Sequence, residues 1–324
     1  MTLFRTAFRI LAPQGVRSRL TVLIFHRVLQ VVDPLRIGVP DVVGFEQRMR
    51  WVRRWFNVIP LADAVRGLAC GNLPERPLCI TFDDGYADNA TLALPILRGL
   101  GLHATFFITS GFLNGGRMWN DTVIEAIRAY PGNVLDLEAL ELGQHPTAND
   151  EDKRQAVVAL LSALKYRPNN GRTALAERIE RLVGARLPQD LMMTSQQVAQ
   201  LHGCGMEIGA HTVNHPILLG LDEETAREEI ATSKSHLEDI TGAPVTLFAY
   251  PNGFPGRDYG LEHVRMVKAL GFQGAVSTAW GIARPSADPF QVPRFTPWDA
   301  SSWKYGARLL QNLLRAPADR VRQV

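Results

Sequence analysis

Thr81-Phe82-Asp83-Asp84-Gly85-Tyr86, which follows the apolar run Pro77-Leu78-Cys79-Ile80, is the stretch from which the fold is read. The run predicts a buried strand, and two adjacent carboxylates at its end are costly to bury without a cation or a proton. A strand that is apolar up to Phe82 brings its C-terminal end to the rim of a sheet. Gly85 then permits a sharp turn, so that both carboxylates face one pocket. An Asp-Asp-Gly turn on a solvated loop would have the same local sequence. What separates the two readings lies far downstream, where His211-Thr212-Val213-Asn214-His215 follows a second short apolar segment, Met206-Glu207-Ile208-Gly209-Ala210.

Outward from these two strands the chain alternates. Leu20-Thr21-Val22-Leu23-Ile24-Phe25 predicts a first strand that ends in His26-Arg27-Val28. Residues 41–56, with Val43, Phe45, Met49, Val52 and Phe56 mostly three or four apart, predict an amphipathic helix opened by Asp41. A short strand at 57–61 and a short helix at 62–69 lead to the Asp83 strand. Residues 88–100 predict a helix closed by Gly99 and Gly101, and 103–109 the next buried strand. Residues 119–190 are helical in pattern and polar, with breaks at Pro131-Gly132, Pro146 and Pro168-Asn169-Asn170-Gly171, and read as an inserted helical segment. The rhythm resumes with strand 206–210, helix 222–241, strand 245–250, helix 258–270, strand 273–277 and a last segment, 290–295. Strands alternating with helices predict a parallel α/β barrel or open sheet with its chemistry at the strand C-termini. His26, Asp83, Asp84, His211, Tyr250 and Arg294 all fall at or just past such an end.

Two imidazoles four residues apart, with a carboxylate from another strand, make a set suited to zinc or another divalent ion and leave positions open for water and substrate. A surface pair of histidines one helical turn apart, binding nothing, is the competing reading; a second strand ending in Asp-Asp weighs against it. If one aspartate binds the cation, its neighbour is placed to take a proton from water as general base. The metal would polarise a carbonyl and lower the water's pKa towards ~7, a route to hydrolysis of an amide or ester. Backbone N–H groups of Tyr250-Pro251-Asn252-Gly253 read either as oxyanion donors or as a plain turn.

With 324 residues, 46% of them apolar, the chain is long enough for a large α/β domain with additions and is not disordered. A formal charge of +3 without a long Lys/Arg block does not imply nucleic acid. Cys70, Cys79 and Cys204 are too few and scattered for a disulfide framework and read as reduced thiols. No stretch approaches the ~20 apolar residues of a spanning helix. The basic, amphipathic N-terminus, Met1 to Leu11, does not read as a signal peptide. A membrane-surface role is open for it and for Ala307 to Arg315, with packing on the domain the favoured reading. The expected organisation is an N-terminal basic helix (1–19), a barrel (20–305) carrying the insert, and a C-terminal helical tail (306–324). The expected location is cytoplasmic, with peripheral attachment to the inner membrane open.

At these residues a family resemblance enters. Thr81 to Tyr86 resembles the first motif of the polysaccharide deacetylases, carbohydrate esterase family four, and His211 to His215 resembles their second, H-[ST]-x-x-H. Phe248 to Gly253 resembles the third motif as it occurs in exopolysaccharide deacetylases, and Leu23 to Val28 their N-terminal strand ending in a His. The resemblance spans roughly 20–115 and 200–298, with the insert outside it. It implies a distorted (β/α)7 barrel, a divalent metal, zinc first, on Asp84, His211 and His215, Asp83 as general base, and removal of acetyl from an N-acetylated glycan or lipid-linked precursor. An O-acetyl esterase and a silent glycan-binding protein are the alternatives. Two departures stand out. The third-motif arginine that pairs with the catalytic aspartate in many members is Ala249 here, and the late L-x-H is replaced by Val292-Pro293-Arg294. Arg294 is read as the replacement arginine. His26 is read as the replacement acid, because the other histidines are committed to metal or lie at strand starts, in the insert or on predicted helices. Tyr250 to Gly253, Arg294 and Trp298 are the expected substrate contacts; Trp119, Trp280 and Trp298 lie where they can stack on sugar faces or simply pack.

Overall fold

The strands are β1 (Thr21–Phe25), β2 (Asn57–Val58), β3 (Pro77–Phe82), β4 (Thr105–Ile108), β5 (Val134–Asp136), β6 (Gln144–Pro146), β7 (Glu207–Ala210), β8 (Leu247–Ala249) and β9 (Gly274–Val276). The helices are α1 (Thr2–Leu11), α2 (Val42–Trp55), α3 (Leu61–Cys70), α4 (Leu94–Gly99), α5 (Trp119–Ala129), α6 (Asp150–Leu164), α7 (Asn169–Val183), α8 (Ser195–Gly203), α9 (Glu223–Thr241), α10 (Leu261–Ala269) and α11 (Ser302–Leu313). The computed structural model describes residues 2–285, 287–315 and 319–322. Seven strands form one parallel sheet in the order β1-β3-β4-β7-β8-β9, with β2 also on β3.

The sheet curls until its ends approach, and an irregular segment spans the gap. Leu20 and Ala283 exchange backbone hydrogen bonds; Val292 donates to Ala275 and accepts from Ser277, and Phe295 donates to Val22 at 2.8 Å. Residues 290–295 therefore occupy a stave's place without forming a regular strand. Pro293 has no N–H to give a ladder. The result is the distorted parallel barrel that the alternation predicts.

Alternating side chains split between two cores. Leu23, Ile80, Phe82, Phe106, Ile108 and Phe248 point outward into the large core beneath the helices. Val22, Cys79, Phe107, Leu247, Ala249 and Val276 point inward, where Leu61, Ala64, Val65 and Leu68 of α3 plug one end. The first residue of α3 follows Pro60, which offers no side-chain cap; Glu207, opening β7, accepts from the N–H groups of Leu61 (2.8 Å) and Ala62 (3.1 Å) instead. Phe107 fills the lumen at the cost of one neighbour's side chain, since a Cβ on Gly209 would stand 2.4 Å from its ring.

The predicted helix at 88–100 is present to Gly99, with one wide, π-helical turn at Asn89–Ala93 that runs directly into α4. The 119–190 segment is not purely helical: the antiparallel pair β5–β6 sits between α5 and α6, and the segment has its own core around Ile127, Leu135, Leu160 and Ile179. The terminal helices pack on the domain, the reading favoured for both. Phe4 and Phe8 of α1 pack on Trp55 and Phe56, and Tyr305, Leu309 and Leu313 of α11 join the same core. The expected tail at 306–324 is helical only to Leu313; residues 316–318, 323 and 324 lie outside the described residues. No helix of the described residues is long and apolar enough to cross a membrane.

Candidate active site

Asp83, the residue after β3, still donates its N–H to Phe25 O at 2.9 Å, but Asp84 and Gly85 turn the chain with φ of 75° and 89°. Successive side chains of a strand point to opposite faces; the turn is what lets two neighbouring carboxylates line one pocket. A non-glycine residue in the left-handed region costs on the order of 1–3 kcal/mol and must be held there. Thr109 donates to Asp84 O and Met193 to Gly85 O.

His211 leaves β7 two strands away. The run to His215 is a strained turn rather than the helical turn of the competing reading, with Thr212 at φ 64° and His215 at φ 52°. Glu229 of α9 holds it by accepting from the N–H groups of Val213 and Asn214, both at 2.8 Å, and Ser110 and Gly111 donate to Thr212 O and Val213 O. His211 Nδ1 donates to Ala249 O at 2.7 Å, which leaves Nε2 to face the carboxylates. The Nε2 atoms of His211 and His215 each lie 3.5 Å from Asp84 Oδ1. That oxygen is buried and has no hydrogen-bond partner among the described residues. Buried polar atoms are rarely left so, and one carboxylate oxygen with two imidazole nitrogens is a donor set that a divalent cation satisfies. The residues fit a metal.

Asp83 is held differently. Arg294, fully buried, reaches through the barrel from the segment that spans β9 and β1 and pairs with both Asp83 oxygens at 2.6 Å. It also donates to Ser277 O and Thr81 Oγ1. Burial opposes charge on Asp83, but the Arg294 guanidinium, then His211, holds its carboxyl below the usual range. Burial likewise opposes charge on Asp84, and His211, His26 and His215 hold its carboxyl well below the usual range. Burial pulls His211 down, yet the two carboxylates leave its pKa raised; His215, where burial outweighs Asp84, is pushed down to about 3.

Paired carboxylates, one clamped by arginine and one facing two imidazoles, belong with the polysaccharide deacetylases, and the family model described as Polysaccharide deacetylase matches residues 71–137 and 150–275. The chain belongs to this family. The match runs through much of 119–190, which the motifs alone left outside the resemblance. The Bacillus subtilis (strain 168) protein YxkH, named as a polysaccharide deacetylase, is 21% identical over 268 residues, 82% of this chain and 67% of that protein. Among solved structures, IcaB from Ammonifex degensii (TM-score 0.60, 20% identity) covers 93% of this chain and 98% of its own. The Streptococcus pyogenes deacetylase PplD, in complex with acetate (0.59, 18%), covers 92% and 99%. At such identity the structures establish the shared fold.

In this deacetylase the carboxylates and histidines open into a cavity of about 480 Å³, lined also by His26, Asn252 and Thr278 from other strand exits. The imidazole of His26 is exposed, and its backbone is tied down from the wide turn after β3: Asn89 donates to His26 O, and Asp88 pairs with Arg27 at 2.7 Å. The loop 250–253 contributes less than expected. Tyr250 is buried, stacked on Tyr259 at 3.8 Å, with its hydroxyl on Phe290 O and its N–H on Val276 O. Pro251 has no N–H, and Gly253 donates to Pro251 O, which leaves Asn252 as the residue of the four that faces the cavity. Of the two expectations for Arg294, partner of the catalytic aspartate and substrate contact, its place behind Asp83 matches the first and not the second. Trp298 is half-exposed and lines an adjoining groove of about 250 Å³ that also includes His26.

The opposite wall comes from the insert. Trp119, Asn120 and Lys165 face the strand ends. Asn120 and Lys165 carried no signal in the sequence, because they sit in a polar helical segment without a motif. Asp121 anchors their wall by accepting from Tyr86 Oη at 2.9 Å and Arg36 Nη2 at 2.8 Å.

Proposed function

We propose that this chain is a metal-dependent de-N-acetylase of an N-acetylated glycan or lipid-linked glycan precursor, in exopolysaccharide or cell-envelope synthesis. The observation that carries the reading is the buried, unpartnered Oδ1 of Asp84, faced by two imidazoles beside a second carboxylate already neutralised by Arg294. A divalent cation on Asp84, His211 and His215, zinc by its donor set, supplies Lewis acidity towards the acetyl carbonyl and a water of lowered pKa. Asp83 serves as base: its carboxylate stays ionised through the neutral range because Arg294 favours the charged form, and it lines the same cavity. His26 protonates the departing nitrogen, a step that an amide requires because its anion is too basic to leave. The N–H of Asn252, uncommitted among the described residues, serves the developing oxyanion.

The test pairs substrates. Metal-loaded His26→Ala should lose about 10²-fold or more on an N-acetylated glycan, yet much less on an activated aryl acetate, whose leaving group needs no proton. Equal losses on both would place the acid elsewhere. Acetate release from O-acetylated but not N-acetylated glycans would replace the reading with an esterase.

A further inference from the structure

Two cations at the opening have no part in this chemistry. Lys165, which caps the C-terminal end of α6, lines the reaction cavity; Arg48 of α2 lines the adjoining groove. Of the other cations nearby, Arg27 pairs with Asp88, Arg36 with Asp121, Arg308 with Asp299 and Arg294 with Asp83, while Arg172 lies over the Trp119 ring at 4.8 Å and donates to His215 O. Lys165 and Arg48 have no carboxylate within salt-bridge reach among the described residues. Arg48 gives one hydrogen bond, Nη2 to Trp298 O at 3.3 Å, and its Nε is buried with no partner. The Lys165 ammonium lies 5.6 Å from the Tyr166 ring. Half-burying a cation without an anion is unfavourable unless a ligand supplies the charge. Burial, with Arg257 and Arg172 set against Asp258, holds the Lys165 pKa below that of an ordinary lysine.

The two positions share one groove. His26 lines both cavities, with Trp119 on the Lys165 side and Trp298 on the Arg48 side. A guanidinium already lies over each ring, Arg172 on Trp119 at 4.8 Å and Arg308 on Trp298 at 3.9 Å, so each half offers the remaining aromatic surface to a sugar and a cation to an anionic oxygen. We propose that this groove selects an acidic glycan, with anionic oxo groups flanking the acetylated sugar and meeting Lys165 and Arg48. The proposal rests on the deacetylase reading and adds the charge class of its substrate.

The test compares three oligomers of similar length with the metal-loaded enzyme at low salt: neutral tetra-N-acetylchitotetraose, a hyaluronan tetrasaccharide carrying uronates, and a phosphodiester-linked N-acetylglucosamine oligomer. Acetate release and quenching of tryptophan fluorescence are read in parallel. One acidic oligomer should exceed the neutral one by about tenfold or more in affinity and kcat/KM, and which one names the anion as carboxylate or phosphate. The excess should shrink in 0.5 M salt, as expected on the order of a Debye length of a few Å. It should also collapse in Lys165→Met/Arg48→Met, with thermal unfolding confirming the fold. Equal or weaker binding of both acidic oligomers, or an excess that survives in the double variant, overturns the proposal. Acetate release from none of the three counts against the deacetylase reading, while the binding ratio still decides the groove.

Discussion

Asp83, Asp84 and His211 leave strand ends whose backbone is bonded to neighbours on either side, whereas Trp119, Asn120 and Lys165 face them from helices of a segment with a core of its own. On the strand side, the left-handed residues are held by backbone hydrogen bonds: Asp84 O accepts from Thr109, Thr212 O accepts from Ser110, and the His215 N–H donates to Thr212 Oγ1 at 3.1 Å. The insert side is attached through side chains, with Arg36 on Asp121 and Glu125 and Tyr86 on Asp121. Strain is stored where atoms must meet, and the surface that faces the sugar is held by contacts that tolerate change. Under the proposed function, chemistry belongs to one wall and recognition to the other.

The largest effects should come from the strand side. Asp84→Ala, His211→Ala or His215→Ala should remove bound metal and lower acetate release by several powers of ten; unaltered metal stoichiometry in all three purified variants would dissolve the proposed site. Asp83→Asn should keep the metal and lose about 10²–10⁴-fold in rate, and loss of metal along with rate would make both aspartates ligands. Arg294→Met strands a buried carboxylate, so urea unfolding at neutral pH should show a loss of about 3–5 kcal/mol.

Linkage gives that variant a sign. Asp83's folded pKa is depressed, so its contribution is present above the unfolded carboxylate value and lost as pH falls through the folded one. Without Arg294 the carboxyl titrates higher, and the acid limb of kcat/KM should move to higher pH. An unmoved limb would assign it to another group.

Metal uptake offers a smaller effect. His215 is neutral down to about pH 3, while His211 has a raised pKa, so at a pH below the His211 value a bound cation would displace one proton, from His211. Affinity should fall by about tenfold per pH unit below that pKa. Calorimetry in buffers of different ionisation enthalpy counts the protons, and two released would contradict the assignment. The smallest effect belongs to the insert: Trp119→Ala should raise KM by about 2- to 10-fold, with kcat little changed. A fall in kcat as large as that of Asp83→Asn would erase the distinction between the walls.

The parallel α/β rhythm, the strand exits and the residues Asp83, Asp84, His211 and His215 are legible in the amino-acid order, because strand burial and turn chemistry are local and leave period and composition behind. The sequence singles out Arg294 both as a partner for the catalytic aspartate and as a substrate contact, and does not choose between them. Pro293 prevents a regular ladder, and only barrel closure shows that the guanidinium points inward to Asp83 rather than outward to substrate. Tyr250 to Gly253 reads as an oxyanion loop until the fold shows which amides are already bonded. Tertiary structure alone brought Lys165 and Asn120 to the cavity and placed His26 between two grooves. Those contacts join segments far apart in the chain, and no local pattern records a meeting that depends on how the insert packs against the strand ends.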